Sequence, residues 1–318
     1  MFEREELIRF LKGERDIKGV PSGFWIHFPE GQRQGQASVK AHKEYYQRTQ
    51  VPLMKMMNEH PLAINGAINR SEDWRHVEVF DIRKKGYQEY LEEIRAFRTE
   101  MGDNALILAT IHGVLVSACH ATDGMGRFPD MHNTITRHLK EDPESVSAGL
   151  WNIGKILKEL SAACLKAGAD GIYYAALGGE KERFSEELYT TYVKPIEIWI
   201  LNSLMEQGIV VLHICKDNPR LIMYQDYPCH VVNWAEHSSS YTLKDGMNMF
   251  PNQKILGGFN NKCGLLMEGT EEECFDRIRD MMGQIGKQRL IIGADCTLPE
   301  TIDLDKLHAI VEYCGQIE

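Results

Sequence analysis

The sequence lacks three features that would assign it to a membrane, a secretory route or a nucleic acid. No apolar run approaches the roughly 20 residues of a transmembrane helix, so we expect no membrane span. The charged start Met1-Phe-Glu-Arg-Glu-Glu6 has no apolar core of a signal peptide, which favours a cytoplasmic protein. The net charge is −10, and no basic cluster suited to a phosphate backbone is present, so no nucleic-acid partner is expected.

Two further motifs are missing. The eight cysteines do not form the short-spaced framework of a disulfide-rich secreted protein, which favours a reducing compartment and thiols that are free or metal-bound. No Gly-x-Gly-x-x-Gly turn follows an early strand, which argues against a dinucleotide-binding open sheet. The chain has 318 residues with 43% hydrophobic content, and we expect one domain over residues 1–318.

Strand-like and helical segments alternate along the chain. The predicted strands lie at about residues 21–27, 62–65, 105–110, 171–175, 209–214, 231–236, 254–260 and 289–294. The predicted helices include one from about residue 38 to 58 and one that Ser185 caps and that extends to about residue 207. Alternating β and α elements indicate a parallel sheet, and eight units in this length favour an α/β fold of the (β/α)8 TIM-barrel type.

Metal-competent side chains follow two of these strands. The fifth strand continues as Ile209-Val-Val-Leu-His-Ile-Cys215, and residues i and i+2 of a strand point the same way, so His213 and Cys215 are expected side by side. Cys296 follows the eighth strand. Taken singly, each fits a buried core residue. Brought together, the three form a zinc site with an open fourth position, as in catalytic rather than structural zinc sites.

The chemistry of a barrel is found at the carboxyl ends of its strands, where further polar residues occur. Glu236 and Tyr174 are the candidate catalytic residues. Glu236 fits a fourth exchangeable ligand, an acceptor for His213, or a helix-capping or solvated carboxylate. His27, His112 and Asn260 are the candidate substrate contacts. The irregular segments 29–37, 66–82 and 118–132 are predicted to be specificity loops.

Several motifs, in this order along the chain, resemble the uroporphyrinogen decarboxylase superfamily from about residue 2 to the end. They are Lys140-Glu-Asp-Pro143, Ala167-Gly-Ala-Asp-Gly171-Ile, Phe184-Ser-Glu-Glu with Tyr192-Val-Lys-Pro195, and His213-Ile-Cys215. The resemblance implies a (β/α)8 barrel. The true decarboxylases carry paired arginines near the first strand, and this chain has Pro21-Ser-Gly-Phe-Trp-Ile-His27 there instead. The chain is more similar to the branch of methylcobamide:coenzyme M methyltransferases, whose His-x-Cys…Cys zinc motif falls on His213, Cys215 and Cys296.

This resemblance implies a zinc-dependent transfer of a methyl group between a corrinoid (methylcobamide) and a thiol. Zinc would lower the pKa of the acceptor thiol, and the reverse transfer, from a small methyl donor to the corrinoid, is the other direction. The corrinoid would arrive as a free cofactor or on a separate protein. A decarboxylase acting on a tetrapyrrole or another carboxylated substrate is the alternative, a metal-binding module without catalysis is a third reading, and a homodimer is compatible with the chain.

Overall fold

The computed structural model describes residues 2–78 and 81–317. It contains eight strands, all paired in parallel: β1 (Ser22–Gly23), β2 (Leu53–Met56), β3 (Leu106–His112), β4 (Gly171–Ala176), β5 (Ile209–Ile214), β6 (Val231–Trp234), β7 (Lys254–Phe259) and β8 (Leu290–Ala294). Their order in the sheet is β1-β8-β7-β6-β5-β4-β3-β2, and β1 contacts β2 where the sheet comes round on itself. The prediction of a (β/α)8 barrel is confirmed.

Helices surround this sheet and fill most of the connections between strands. They are α1 (Arg4–Leu11), α2 (Gly35–Thr49), α3 (Lys85–Met101), α4 (Val114–Thr122), α5 (Thr134–Glu141), α6 (Pro143–Lys166), α7 (Glu186–Tyr192), α8 (Lys194–Asn202), α9 (Leu243–Met249), α10 (Leu265–Glu268), α11 (Glu271–Ile285) and α12 (Leu304–Gln316). Within the described residues, none of these helices combines the length and the apolar character needed to cross a bilayer.

The second strand lies earlier in the chain than the sequence pattern predicts. The prediction of a strand at 62–65 is wrong, since β2 spans Leu53–Met56 inside the predicted helix 38–58. Helix α2 stops at Thr49, and Gln50 takes a left-handed conformation with φ of 54°. Pro52 cannot continue a helix and disfavours helical backbone in the residue before it. The apolar residues of β2 also fit the helical spacing, which is why the sequence pattern predicts a helix there.

Two other boundaries also differ from the prediction. The helix predicted from Ser185 to about residue 207 is divided at Val193 into α7 and α8, because Pro195 in the first turn of α8 lacks an N–H and ends the preceding helix. The predicted cap is present, with Ser185 Oγ accepting the N–H of Leu188 at 3.2 Å. Helix α4 takes in the start of the predicted loop 118–132. In the predicted loop 66–82, residues Ser71–His76 form a 3-10 turn, and positions 79 and 80 lie outside the described residues.

The interior of the barrel is filled with apolar side chains. Leu7, Phe10 and Leu11 of α1 belong to the same buried cluster as inward-facing strand residues such as Leu108 and Val211. Complete burial of a side chain of this size stabilises the fold by about 1.5–3 kcal/mol. Because α1 covers the amino-terminal end of the strands, the functional groups are left to the carboxyl-terminal end.

Candidate metal centre

Three side chains from two strands converge at the carboxyl-terminal end of the barrel. The Sγ atoms of Cys215 and Cys296 are 3.5 Å apart, and Cys296 Sγ lies 3.5 Å from His213 Nε2. His213 belongs to β5, Cys215 follows it directly, and Cys296 comes two residues after the end of β8. The three potential ligand atoms all lie within 4.8 Å of one another. The structure therefore brings together the three residues predicted as metal ligands.

The orientation of the His213 imidazole is fixed by Asn233 of β6. His213 Nδ1 lies 2.5 Å from Asn233 Oδ1. The side-chain amide of Asn233 cannot be flipped without breaking two hydrogen bonds, because its Nδ2 donates to the carbonyls of Leu256 at 2.9 Å and Ala294 at 3.2 Å. Nδ1 of His213 is consequently the protonated nitrogen and donates to Asn233, which leaves the lone pair of Nε2 directed at the sulfur atoms.

The two thiols influence each other strongly. The hydrogen bond from Cys215 lowers the pKa of the Cys296 thiol, and the nearby His213 lowers it further. The same contact raises the pKa of Cys215, since this thiol is the one that keeps the proton. Two thiol sulfurs and one oriented imidazole form a soft donor set that suits Zn²⁺. The residues present therefore fit the metal that the sequence motif implies.

An aromatic ring and a buried amine lie beside these ligands. The ring of Tyr173 stacks on His213 with 5.1 Å between ring centres and 30° between planes, and its hydroxyl donates to Asn233 Oδ1 at 3.1 Å. Lys55 Nζ lies 4.4 Å from the centre of the Tyr173 ring. Burial lowers the pKa of Lys55 to about 8, and attraction to Cys296 and Cys215 opposes this effect. The lysine therefore remains mostly cationic at neutral pH.

A cavity of about 230 Å³ opens above the ligand atoms. His27 and His112, two of the predicted substrate contacts, line this cavity together with His120. Burial lowers the pKa of His112 to about 3 and that of His120 to about 4, so both imidazoles are neutral near pH 7. His27 is more open to solvent, with 57% of its side chain exposed, and pairs with Glu59 at 3.0 Å.

Three predicted site residues lie elsewhere. Asn260 is not among the residues that line the cavity, and its Oδ1 accepts the N–H groups of Lys262 and Cys263. Tyr174, predicted to be catalytic, does not line the cavity, because successive strand residues face opposite sides and Tyr173 is the one that faces it. The hydroxyl of Tyr174 lies 3.5 Å from Glu197 of α8, behind the strand.

Glu236 also lies outside the group of three ligand atoms and is not the acceptor for His213, which is Asn233. Its Oε1 instead accepts the N–H of Leu243 at the start of α9, at 3.1 Å. Of the three roles considered for this carboxylate, the helix-capping role is the one that the structure shows. Glu236 forms a second group of potential ligands with His237 and Asp295.

Sequence reasoning missed Asn233, Lys55 and Tyr173. A polar Asn233 within the apolar strand Val231–Trp234 is the signal that could have identified the partner of His213, because buried amides need hydrogen-bond partners. Lys55 interrupts the apolar run of Leu53–Met56 in the same way. Because the sequence pattern predicts a helix there, it does not place Lys55 on a strand of the barrel. The signal for Tyr173 is the alternation of side chains along β4.

The chain matches one protein family by sequence and several solved structures by fold. The family model described as uroporphyrinogen decarboxylase (URO-D) matches residues 54–317. No curated protein matches the chain by sequence. Among solved structures, a methyltransferase from Methanosarcina mazei has a TM-score of 0.79 at 16% identity, with 98% of each chain covered. A putative vitamin-B12-independent methionine synthase from Listeria monocytogenes has a TM-score of 0.59 at 13% identity, covering 93% of this chain and 95% of that one.

A B12-independent methionine synthase from Shewanella, in complex with selenomethionine, is similar to the same degree, with a TM-score of 0.57 at 14% identity. The match covers 94% of this chain and 95% of that chain. At such identities these likenesses establish the shared barrel fold.

Proposed function

The chain belongs to the uroporphyrinogen decarboxylase family, and within this family we propose that it is a zinc-dependent methyltransferase that moves a methyl group between a corrinoid and a small thiol. The observation that carries the proposal is the convergence of His213, Cys215 and Cys296 beneath an open cavity. Three protein ligands with access for a fourth are the arrangement of catalytic zinc sites.

Each part of the chain has a role in this proposal. His213, Cys215 and Cys296 would hold the metal, and Asn233 keeps the imidazole in the tautomer that offers Nε2. When bound, Zn²⁺ would supply Lewis acidity, which would lower the pKa of a thiol ligand so that a thiolate could exist at neutral pH.

When a thiol accepts the methyl group, every bond and charge of the reaction can be accounted for. The thiol loses its proton, a sulfur–carbon bond to the methyl group forms, and the cobalt–carbon bond breaks with its electron pair remaining on cobalt. The products are a thioether, cob(I)amide and a proton. The cavity of about 230 Å³ is smaller than the roughly 300–1,000 Å³ of sites for drug-sized ligands, so it suits a small thiol. The corrinoid would approach the cavity mouth, as a free cofactor or on a separate protein.

A decarboxylase acting on a carboxylated substrate is the second candidate. The observation in its favour is that two lysines, Lys55 and Lys216, line the cavity and can pair with carboxylates. A tetrapyrrole with several carboxylates fits less well, since the cavity is small and no arginine lines it among the described residues. The methyltransferase accounts for the metal-binding residues, and the decarboxylase does not require them.

The test measures metal and activity in the same preparations. We expect about one zinc per chain in the wild-type protein, and almost none in Cys215→Ala or Cys296→Ala. Methyl transfer from methylcobalamin to a panel of small thiols should fall roughly a hundredfold or more in both variants. Cys229→Ala is the control, because this buried cysteine lies outside the site.

Two outcomes would contradict the proposal. Zinc that stays bound in both cysteine variants would show that the ligand assignment is wrong. A wild-type protein that contains no zinc and releases CO₂ from a carboxylated substrate would favour the decarboxylase.

A further inference from the structure

Lys55 is a buried cation whose ammonium group contacts aromatic rings rather than an anion among the described residues. The residue is only 6% exposed, and its Nζ lies over the rings of Tyr173 and Trp25, at 4.4 and 5.2 Å from their centres. Throughout the described part of the chain, no hydrogen bond or ion pair is formed by this ammonium group. Aromatic faces attract a cation but do not accept its N–H groups in the manner of a carboxylate. A buried charge is costly unless it is paired, so an anion is expected nearby.

The groups around Lys55 narrow the choice of that anion. Cys296, Cys215 and Glu59 attract its charge, in this order. Glu59 is already engaged, since one of its carboxylate oxygens contacts His27 Nδ1 at 3.0 Å. Burial lowers the pKa of the neighbouring His42 to about 4 and that of His112 to about 3, so neither adds charge near pH 7. The two sulfurs therefore contribute the largest attraction to Lys55, and Glu59 contributes a smaller one.

The charges at this site do not balance once a substrate thiolate is present. Two cysteine thiolates and a neutral imidazole compensate the two positive charges of Zn²⁺, which leaves the metal site neutral. A third thiolate adds one negative charge, and a desolvated net charge is unfavourable. The ammonium of Lys55 supplies one positive charge within the same cavity.

We propose that Lys55 is a positioning residue that provides the counter-charge for a substrate thiolate held at the metal site. This inference depends on the proposed function, because it assumes that a metal and a thiol both bind. It predicts that Lys55 matters for anionic sulfur ligands of any structure and does not matter for neutral ligands or for the metal itself.

Another role for the same ammonium group gives a different prediction. If Lys55 instead bound an oxyanion elsewhere on the substrate, it would matter for thiols that carry a carboxylate or sulfonate and not for a thiol without one. A comparison of 2-mercaptoethanol with 3-mercaptopropionate separates the two roles. Imidazole serves as the neutral ligand for the same open position.

The experiment uses Co²⁺-loaded full-length protein, in which sulfur-to-cobalt absorption reports the bound thiol directly. Wild type, Lys55→Met, Lys55→Gln and Lys55→Arg are titrated with 2-mercaptoethanol, with 3-mercaptopropionate and with imidazole. We expect the two neutral variants to bind 2-mercaptoethanol roughly 10- to 100-fold more weakly, as loss of a nearby unit charge in a partly desolvated cavity implies. Imidazole affinity and metal content should stay within about twofold of wild type, and Lys55→Arg should restore most of the thiol affinity.

Lys254→Met is the matched control at the other end of the barrel. Lys254 is 7% exposed, and its Nζ lies 4.0 Å from the centre of the Phe10 ring. Unlike Lys55, it donates a hydrogen bond, to the carbonyl of Gln288 at 2.7 Å. This variant makes the same chemical change in a similar environment and should leave thiol binding unaltered.

The remaining outcomes overturn the inference. Unchanged affinity for 2-mercaptoethanol, an equal loss for thiol and imidazole, or loss of the metal in Lys55→Met and Lys55→Gln would each exclude a counter-charge role. An effect confined to 3-mercaptopropionate would assign Lys55 to the oxyanion role instead. If wild-type protein binds no metal or gives no sulfur-to-cobalt absorption, the proposed function itself fails, and this result is distinguishable because it does not involve the variants.

Discussion

Two buried polar clusters lie on opposite faces of the same strand, and they differ in how their polar atoms are used. The inner cluster consists of Tyr173 with His213, Cys215, Asn233 and Cys296. The outer cluster consists of Tyr174 with Tyr189, Glu197 and Tyr227. Tyr173 and Tyr174 are adjacent in β4 and therefore point to opposite faces.

The polar atoms of the outer cluster are directed at one another. Glu197 Oε2 accepts the hydroxyl groups of Tyr189 at 3.0 Å and Tyr227 at 2.9 Å, and Oε1 lies 3.5 Å from the hydroxyl of Tyr174. All four side chains are buried. Such a network holds helices against the barrel but offers no group to a ligand.

The inner cluster, in contrast, leaves chemically active atoms directed at a cavity. Asn233 uses its amide for the protein, and this fixes His213 so that Nε2 and the two sulfur atoms remain available. Burial and perturbed pKa values occur in both clusters, so they do not by themselves identify a functional site. What distinguishes the inner cluster is a set of donor atoms that the protein positions beside an open cavity.

The largest expected effect is a change of stability with pH, which we assign to Glu197 in the outer cluster. Burial raises the pKa of Glu197 to about 7, above the ordinary value of 4.5. As pH rises from about 4.5 to 7, the unfolded chain loses this proton before the folded chain does, so the stability present at low pH is lost. The loss amounts to about 3 kcal/mol in the free energy of unfolding and levels off above pH 7. Glu197→Gln should remove this pH dependence of the free energy of unfolding, as measured by urea denaturation between pH 4.5 and 8.

Glu187→Gln is the control for this measurement, because that carboxylate is exposed on α7. It should show the same pH dependence of stability as the wild type. A Glu197→Gln variant whose stability follows the wild-type curve would mean that Glu197 is ionised in the folded protein.

A smaller effect, and one confined to metal binding, is expected from Asn233→Leu. The imidazole of His213 loses its acceptor and is no longer held in one tautomer, so zinc affinity should fall roughly 10- to 100-fold. Competition with a chromophoric chelator measures this affinity. Asn152→Leu removes a hydrogen bond of 2.8 Å to the carbonyl of Val77, far from the ligands, and should leave zinc affinity unchanged. Equal affinities in wild type and Asn233→Leu would show that the amide does not orient the ligand.

The smallest expected effect is a change in zinc affinity when each of the two adjacent tyrosines is replaced by phenylalanine. Tyr173→Phe removes the hydroxyl that donates to Asn233 Oδ1, and zinc affinity should fall a few-fold, in line with about 1 kcal/mol for one hydrogen bond. Tyr174→Phe removes only a 3.5 Å contact to Glu197 and should leave zinc affinity unchanged. The assignment of the two faces would be wrong if Tyr174→Phe had the larger effect on zinc.

The convergence of the three candidate ligands could be predicted from the sequence, because local geometry places two of them and the barrel places the third. His213 and Cys215 are two positions apart at the end of an apolar strand, so their side chains had to emerge together. Cys296 follows another strand with the same pattern, and a closed barrel brings such ends to one rim. The fold class was predicted for a similar reason, since alternating strands and helices recur along most of the chain.

The residues that support the ligands could not be predicted in this way. Asn233 contacts His213 only because β6 lies beside β5 with these two residues paired in register. Lys55 was hidden because the apolar residues around it continue the helical pattern of α2, and the choice between helix and strand is made by Pro52 and by packing against β3. Which of Tyr173 and Tyr174 faces inward depends on the register of β4 in the closed sheet.

The position of the ligands in the sheet has a consequence for the order of assembly. His213 and Cys296 are 83 positions apart in the chain, and strands β6 and β7 lie between their strands in the sheet. In an unfolded chain, closing so long a loop carries an entropic cost, so a chelate of these three residues could form only after this half of the barrel has folded. In the proposed zinc site, the metal would therefore bind late in folding and would be released when β5 and β8 separate.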